Sequence, residues 1–382
     1  MLSILVNILL FVLVIGILTF VHELGHFITA KLAKATVDEF ALGFGPKLIS
    51  KKYKGTLYSI RLLPLGGYVK IAGDGDPEKE EKKKAQKKDP GNLQNKPKIV
   101  QIAVMLAGVI MNLLFAVVVY YIILATSGWQ MTLDWQFENF KPTGATIQKV
   151  VAKDVEYAEL VDGGNAQIAG LPTAGILKSI AGEVPEYSSD VSKILGEHKG
   201  ENVQIEVCNE SCNTYTVPVS EEGKIGIALS TNYYVVISYE NSKVLAGFSH
   251  AINTLRLIGT KLGDLFTQAK TTGDYSELSN SVSGPVGIYF LIDYFKNFGF
   301  LTFLNVMGDL SLSLAIMNLL PIPALDGGRV GILIIESIIR KDLDERIKTI
   351  IINGSFIFLM ILVIFIMIKD VLNIQDLKNM FK

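Results

Sequence analysis

The sequence predicts a polytopic α-helical membrane protein with about four transmembrane helices and a smaller soluble α+β domain. Crossing the hydrocarbon core of a bilayer takes about 20 apolar residues, and three stretches qualify: residues 2–20, 99–126 and 350–368. A fourth stretch, residues 298–320, is weaker because Asp309 interrupts it. Hydrophobic residues make up 49% of the 382 positions, which fits a membrane protein with sizeable aqueous parts.

The first segment, residues 1–36, ends its apolar run on Val-His-Glu-Leu-Gly-His. The run lacks a basic start and a small-residue cleavage site, so it is interpreted as a retained span and not as a signal peptide. On a helix His22 and His26 share one face, with Glu23 beside them. This is the H-E-x-x-H arrangement, in which two imidazoles hold Zn²⁺ and the glutamate acts on the attacking water.

The alternative interpretation of these residues is a chance match on an ordinary helix. Ionisable side chains are costly inside a spanning helix and are by default functional there. The membrane context therefore favours a zinc site made by His22 and His26, with Glu23 as the catalytic acid/base.

Charge and cysteine content exclude some classes of function. A net charge of −1 argues against a nucleic-acid partner. With Cys208 and Cys212 as its two cysteines, the chain has neither a disulfide framework nor a cysteine cage for zinc. The lipid bilayer is the predicted environment.

Lysine and arginine are concentrated in residues 51–98 and again between the third and fourth spans, so both loops are predicted to be cytoplasmic. Both termini and the middle of the chain then lie outside. The predicted segments are a span at 99–127, a span at 298–328 and a last span at 350–369. Residues 74–98 form a charged, solvated linker, and residues 139–230 form the soluble α+β domain.

Residues 243–270 place apolar side chains three and four apart, which predicts an amphipathic helix. Packing on the soluble domain and lying on the outer membrane surface are the two alternatives, and the second is preferred.

A third zinc ligand is needed, since zinc that activates water usually has three protein ligands. His198, His250 and both cysteines lie on the outer side by this topology, so an oxygen donor is required. Asp309, Asp326 and Glu336 are the candidates. Asp326 is preferred because it follows Pro321 and Pro323 and precedes two glycines, where the chain can turn a carboxylate back.

The motif at His22–His26, together with Asn-Leu-Leu-Pro-Ile-Pro-Ala-Leu-Asp-Gly-Gly at 318–328, resembles the site-2 protease family of intramembrane zinc metalloproteases. The layout is similar to the bacterial regulator of sigma-E protease group. Further matches are Phe44-Gly-Pro46, Leu63-Pro-Leu-Gly-Gly-Tyr68, Ala107-Gly108 with Asn112, and Ser283-Gly-Pro-Val-Gly287.

The resemblance implies zinc bound by His22, His26 and Asp326, with Glu23 as the acid/base. It also implies a cytoplasmic membrane-associated β-region at 37–73 and a PDZ-like fold for residues 139–230, with a possible peptide or protein ligand. The residues implicated in substrate binding are Asn318, Pro321, Pro323, Leu65, Gly66, Gly67, Tyr68 and Val69.

The predicted function is an intramembrane zinc endopeptidase in a bacterial inner membrane, cutting transmembrane proteins or remnant signal peptides near the cytoplasmic face. Anti-sigma-factor-like proteins are substrates consistent with the family. A zinc transporter and an inactive scaffold are the competing classes. Glu23 beside the histidines argues against the first, and the intact set of four site residues argues against the second.

Cys208 and Cys212 flank the predicted turn between two alternating strands. Directly opposed residues of a hairpin lie about 4.5–5.5 Å apart between Cα atoms, within disulfide range. A disulfide outside the cytoplasm is therefore predicted, with two free thiols as the alternative.

Overall fold

The computed structural model describes residues 2–73, 89–209 and 211–374. Most of the predicted charged linker therefore lies outside the described residues. The chain divides into two compact units, one of Leu124–Ser249 and one that joins the residues up to Ile123 to those from His250 onward. The helices are α1 (Leu2–Leu32), α2 (Lys98–Thr126), α3 (Asn165–Ile168), α4 (Ser188–Glu197), α5 (Ala246–Thr272), α6 (Ser276–Asn280), α7 (Pro285–Phe295), α8 (Phe300–Leu319), α9 (Asp326–Ile339) and α10 (Glu345–Leu372).

Within the described residues, four helices are long and apolar enough to cross a membrane, as predicted: Leu5–Leu32, Lys98–Thr126, Phe300–Leu319 and Arg346–Leu372. The first is longer than its apolar run, because the same helix continues through the H-E-x-x-H motif. The third ends at Leu319, where the prolines interrupt it as expected, and a separate helix α9 starts at Asp326.

Helix α7 was not predicted. It begins at Pro285, which occupies the first helical turn. Its Ile292 is buried with Val14 and Leu18 of α1 and Met307 of α8. The carboxylate of Asp370 on α10 accepts hydrogen bonds from the backbone amides of Gly284 (2.9 Å) and Gly287 (3.1 Å), so it caps the start of α7.

A β-region follows α1, as the resemblance implied, and consists of β1 (Val37–Tyr53) and β2 (Thr56–Ile71). Both strands fold back on themselves. Residues 39–42 pair with 57–60 on one side and with 67–70 on the other, while residues 47–53 pair with 56–61. The result is a four-segment antiparallel sheet in which residues 67–71 form one edge. Among the described residues no other strand pairs with that edge.

Glu336 of α9 forms ion pairs with lysines of α2 and α10. Its carboxylate, fully buried, lies 2.5 Å from Lys98 Nζ at the start of α2 and 2.5 Å from Lys348 Nζ on α10. It also accepts from the backbone amide of Leu343. Burial alone would raise the pKa of Glu336, but Lys348 and Lys98 outweigh it and the pKa lies below its ordinary value. The Glu336 carboxylate therefore fixes the position of α9 relative to α2 and α10.

The unit Leu124–Ser249 contains both helices and strands, and it extends beyond the bounds 139–230 predicted for the soluble domain. One sheet has the strand order β8-β7-β6-β5-β9 and covers a core with α4, while a smaller sheet has the order β3-β10-β4. The strands are β3 (Gln130–Leu133), β4 (Thr146–Val151), β5 (Glu156–Leu160), β6 (Gly175–Ile180), β7 (Asn202–Cys208), β8 (Cys212–Pro218), β9 (Ile227–Leu229) and β10 (Tyr233–Ser238).

The predicted hairpin is present as β7 and β8, with Cys208 paired to Cys212. Their Cα atoms lie 4.0 Å apart and the two sulfurs are bonded.

Helix α5 is amphipathic, and its first part is well packed. His250 and Ala251 are buried, and Ala251 joins a cluster with Ala116 and Tyr120 of α2 and Leu312 of α8. Further along, Ile258, Leu262 and Phe266 are exposed. Ala251 therefore packs on membrane helices, and the membrane-surface position preferred for the exposed part of α5 stays a prediction.

Candidate active site

The two histidines of the motif lie on one face of α1, directed at α2. Nε2 of His22 and Nε2 of His26 are 3.2 Å apart. The other ring nitrogen of each histidine faces α2: Nδ1 of His26 lies 2.8 Å from the carbonyl oxygen of Val104, and Nδ1 of His22 lies 3.2 Å from Nδ2 of Asn112. Both side chains are almost completely buried.

Asp326 completes the cluster from the other side. Its Oδ2 lies 3.1 Å from Nε2 of His22 and 3.3 Å from Nε2 of His26. The same atom is buried and has no hydrogen-bond partner within the described parts of the chain. Three ligand-type atoms thus converge on one point, all within 4.8 Å of one another.

The residues fit a zinc ion. Ligands placed about 2.0–2.1 Å from Zn²⁺ in a tetrahedron lie about 3.3 Å from one another, and the edges of the observed triangle are 3.1 to 3.3 Å. A cation in this position would also satisfy the unpartnered Oδ2 of Asp326. Three protein ligands leave one tetrahedral position open, as in catalytic zinc sites.

The break between α8 and α9 aims Asp326 at the histidines. Asp326 is the first residue of α9 and follows the turn that contains Pro321 and Pro323. Gly327 and Gly328 let this turn close tightly: a Cβ at Gly327 would lie 2.1 Å from the carbonyl oxygen of Leu319, and no side chain fits there.

The two alternative ligands lie elsewhere. Asp309 accepts a hydrogen bond of 2.7 Å from the hydroxyl of Tyr120 and another from Asn305. Glu336 is engaged by Lys98 and Lys348. Neither belongs to the cluster of His22, His26 and Asp326.

Glu23 lines the cavity that opens onto the cluster. The cavity measures about 720 Å³ and is bounded by α1, the start of α9 and the edge segment of β2. Gly67 lies directly against Glu23, since a Cβ on Gly67 would be 3.2 Å from Cγ of Glu23, and Val69 lines the cavity beside it. On the opposite wall, Glu39 accepts from Ser59 and Arg61; burial would raise its pKa, but these hydrogen bonds hold the pKa below its ordinary value.

The residues implicated in substrate binding divide into two groups. Gly67, Tyr68 and Val69 line the cavity, and Leu65 and Gly66 precede them on β2. Asn318 lies in the last turn of α8, and Pro321 and Pro323 lie in the segment that follows. None of the three lines the cavity within the described residues. Ala324 and Arg329 do line it.

Three residues of α2 support the histidines and received no role from the sequence: Val104, Gly108 and Asn112. Gly108 faces the imidazoles so closely that a Cβ would lie 2.4 Å from Nε2 of His26. Asn112 is a polar residue in an apolar span. Polar residues in spans are usually functional, so this is the sequence signal that points to a role for Asn112.

A bundle of membrane helices that holds two histidines, an aspartate and a neighbouring glutamate in a cavity defines a membrane metallohydrolase. The chain belongs to Peptidase family M50, whose family model matches residues 10–362. It is a zinc metalloprotease.

The curated relatives agree with this assignment. A predicted zinc metalloprotease of Clostridium acetobutylicum is 32% identical over 96% of this chain and 97% of its own length. Another from Synechocystis is 32% identical over 94% of this chain and 93% of its own. The regulator of sigma-W protease RasP of Bacillus subtilis is 28% identical over 94% of this chain and 97% of its own.

Replacing Asp326 by alanine should weaken zinc retention and abolish proteolysis, because it removes one of three converging ligand atoms. Asp309→Ala is the matched control, since Asp309 is also a carboxylate of the bundle but bonds to Tyr120. Zinc per chain, measured by elemental analysis of purified protein, should fall only in Asp326→Ala. Full zinc occupancy in that variant would refute the ligand assignment.

Proposed function

We propose that this zinc metalloprotease cuts transmembrane segments of membrane proteins, with His22, His26 and Asp326 as its zinc ligands and Glu23 as its acid/base. The observation that carries the proposal is the position of the triangle of ligand atoms: its two histidines belong to an apolar helix of spanning length. A substrate cut at such a site is itself in the membrane.

The cleavage chemistry falls to Glu23. Zinc, when bound, lowers the pKa of water and polarises a carbonyl. The carboxylate of Glu23 takes the proton from the attacking water and then delivers it to the leaving amine. Asn318, Pro321 and Pro323 are proposed to help hold the unwound substrate segment beside Asp326.

The exposed edge of the β-region is suited to holding that segment. A helical substrate hides its peptide groups in hydrogen bonds, so it must be extended before it is cut. An extended segment can pair with an unpaired strand edge. Residues 67–71 form such an edge beside Glu23, and Val69, whose backbone N–H is proposed as a donor to the substrate, lines the cavity.

Val69→Pro removes that donor and should slow cleavage of a helical substrate while zinc is retained. One or two backbone hydrogen bonds of about 1 kcal/mol each correspond to a rate loss of roughly 5- to 30-fold. Val69→Ala, which keeps the amide, is the control and should cleave at nearly the parental rate. Equal turnover of the two variants would argue against strand addition at this edge.

The remaining assignments are proposals from the resemblance. The active site faces the cytoplasm of a bacterial inner membrane, and both termini and the unit Leu124–Ser249 lie outside. That unit is PDZ-like, with a possible peptide ligand, and acts as a filter on substrate size. Anti-sigma-factor-like proteins and remnant signal peptides are the proposed substrates.

Metal removal in a reconstituted system tests the function. The full chain in liposomes, with a single-span substrate, should release two fragments whose ends lie within the spanning segment. A strong zinc chelator should stop cleavage, and added Zn²⁺ should restore it. Cleavage confined to soluble parts of the substrate would contradict the proposal, and zinc movement across the membrane without cleavage would favour a transporter.

A further inference from the structure

The amide of Asn112 is placed to control the chemical state of His22. Asn112 lies on α2, is completely buried, and has its Nδ2 3.2 Å from Nδ1 of His22. Its Oδ1 is also buried and has no hydrogen-bond partner among the residues the structure describes. A buried amide with one unpaired atom is costly, so this side chain calls for an explanation.

The geometry of the zinc triangle limits how His22 can be protonated. Nε2 of His22 is directed at Asp326 and His26. If Nε2 binds the metal, the neutral imidazole carries its hydrogen on Nδ1. That hydrogen then points at the Asn112 amide, so the atom facing it must be an acceptor.

The amide can supply that acceptor without any change of shape. Rotating it by 180° exchanges Oδ1 with Nδ2, and the two orientations have nearly the same outline. In the present orientation Oδ1 has no partner among the described residues, so the contact with His22 decides which amide atom faces the imidazole. His26 already has the corresponding arrangement, because its Nδ1 lies 2.8 Å from the carbonyl oxygen of Val104.

We propose that Asn112 is a positioning residue whose Oδ1 accepts the Nδ1–H of His22 and so holds His22 as an Nε2 ligand of zinc. This inference rests on the proposed ligand set. Helix α2 then orients both imidazoles, one through a backbone carbonyl and the other through a side chain. The backbone of Asn112 is held in turn, since Ser311 of α8 donates a 2.9 Å hydrogen bond to its carbonyl oxygen.

Zinc affinity of the purified full chain, measured by competition with a chelator, tests the inference. Loss of an outer-shell acceptor typically weakens metal affinity about 10- to 100-fold. Asn112→Leu and Asn112→Ala should both show such a loss. Asn112→Asp keeps an acceptor of the same size and should bind zinc at least as tightly as the parent. Asn305→Leu removes another amide of the bundle, one bonded to Asp309, and should leave zinc affinity unchanged.

A second readout separates hydrogen bonding from packing. In the Co²⁺-substituted protein, Asn112→Asp should shift the visible absorption bands, because a charged acceptor makes His22 a stronger donor, whereas Asn305→Leu should not. Parental zinc affinity in a folded Asn112→Leu or Asn112→Ala, or equal losses in Asn112→Asp and Asn112→Ala, would overturn the inference. If Asn112→Leu and Asn112→Ala both fail to fold, the zinc affinity and the Co²⁺ spectrum of Asn112→Asp decide whether the inference holds.

The outcomes also distinguish this inference from the proposed function. A parental protein that binds zinc and shows the predicted order of affinities but cleaves no membrane substrate would support the role of Asn112 and contradict the proposed function. A parental protein with no zinc affinity would overturn both.

Discussion

Glu23→Gln should leave zinc in place and reduce cleavage by about 10²- to 10⁴-fold, the usual contribution of a general acid/base. Glutamine has nearly the same size and shape as glutamate, so it fits the same position beside Gly67. It cannot take a proton from water. None of the three ligand atoms of the cluster belongs to Glu23, so the metal should be retained.

Two measurements on the same preparation check this expectation: zinc per chain, and the cleavage rate of a single-span substrate in liposomes. Asp309→Asn is the matched control, because it also neutralises a carboxylate of a membrane helix but one bonded to Tyr120. It should keep both zinc and most activity. A Glu23→Gln protein with near-parental turnover would remove Glu23 from the mechanism, and one that lacked zinc would mean that the substitution disturbs the metal site itself.

Gly108→Ala should abolish both zinc binding and proteolysis, although it adds a single methyl group. The new Cβ would lie 2.4 Å from Nε2 of His26 and 2.7 Å from Cε1 of His22. Both distances are far inside van der Waals contact, so the imidazoles would have to leave the positions from which they converge on Asp326. Because disturbing even an outer-shell partner costs about 10- to 100-fold in metal affinity, we expect a loss of about 100-fold or more.

The helix itself should not suffer from this change, since alanine favours a helix by about 1 kcal/mol over glycine. Gly16→Ala is the matched control: Gly16 lies in α1, and a Cβ there would meet nothing within 4 Å. Zinc content and thermal unfolding of the two variants should separate the effects. Parental zinc content in a folded Gly108→Ala protein would show that α2 does not pack against the histidines as described.

The spans, the shared face of the two histidines and one hairpin follow from local sequence. Four apolar runs predicted four spans, because the length of such a run is set by the thickness of the bilayer. The spacing of His22 and His26 placed them on one helical face whatever surrounds them. Alternation over residues 203–207 and 214–219 predicted the hairpin of β7 and β8, because a strand of period two buries one face.

Other features depend on contacts between segments far apart in the chain. Helix α7 is short for a span, and its position is given by its packing against α1 and α8 and by the distant cap from Asp370. The β-region was expected only from resemblance, and its edge at residues 67–71 arises because residues 39–42 pair on both sides. Alternation within one strand does not say which segments will be its neighbours.

The metal cluster shows both contributions. The sequence by itself placed two histidines and a glutamate on a membrane helix, and among three candidate carboxylates it favoured Asp326 as the third ligand. Tertiary packing supplies the contacts that separate the three: Asp309 bonds to Tyr120, Glu336 pairs with two lysines, and Asp326 lies beside the histidines. Tertiary packing likewise places Gly108 and Asn112 of α2 against the two histidines. An apolar run specifies that α2 spans the membrane, whereas the face it turns toward α1 is decided by how closely the two helices pack.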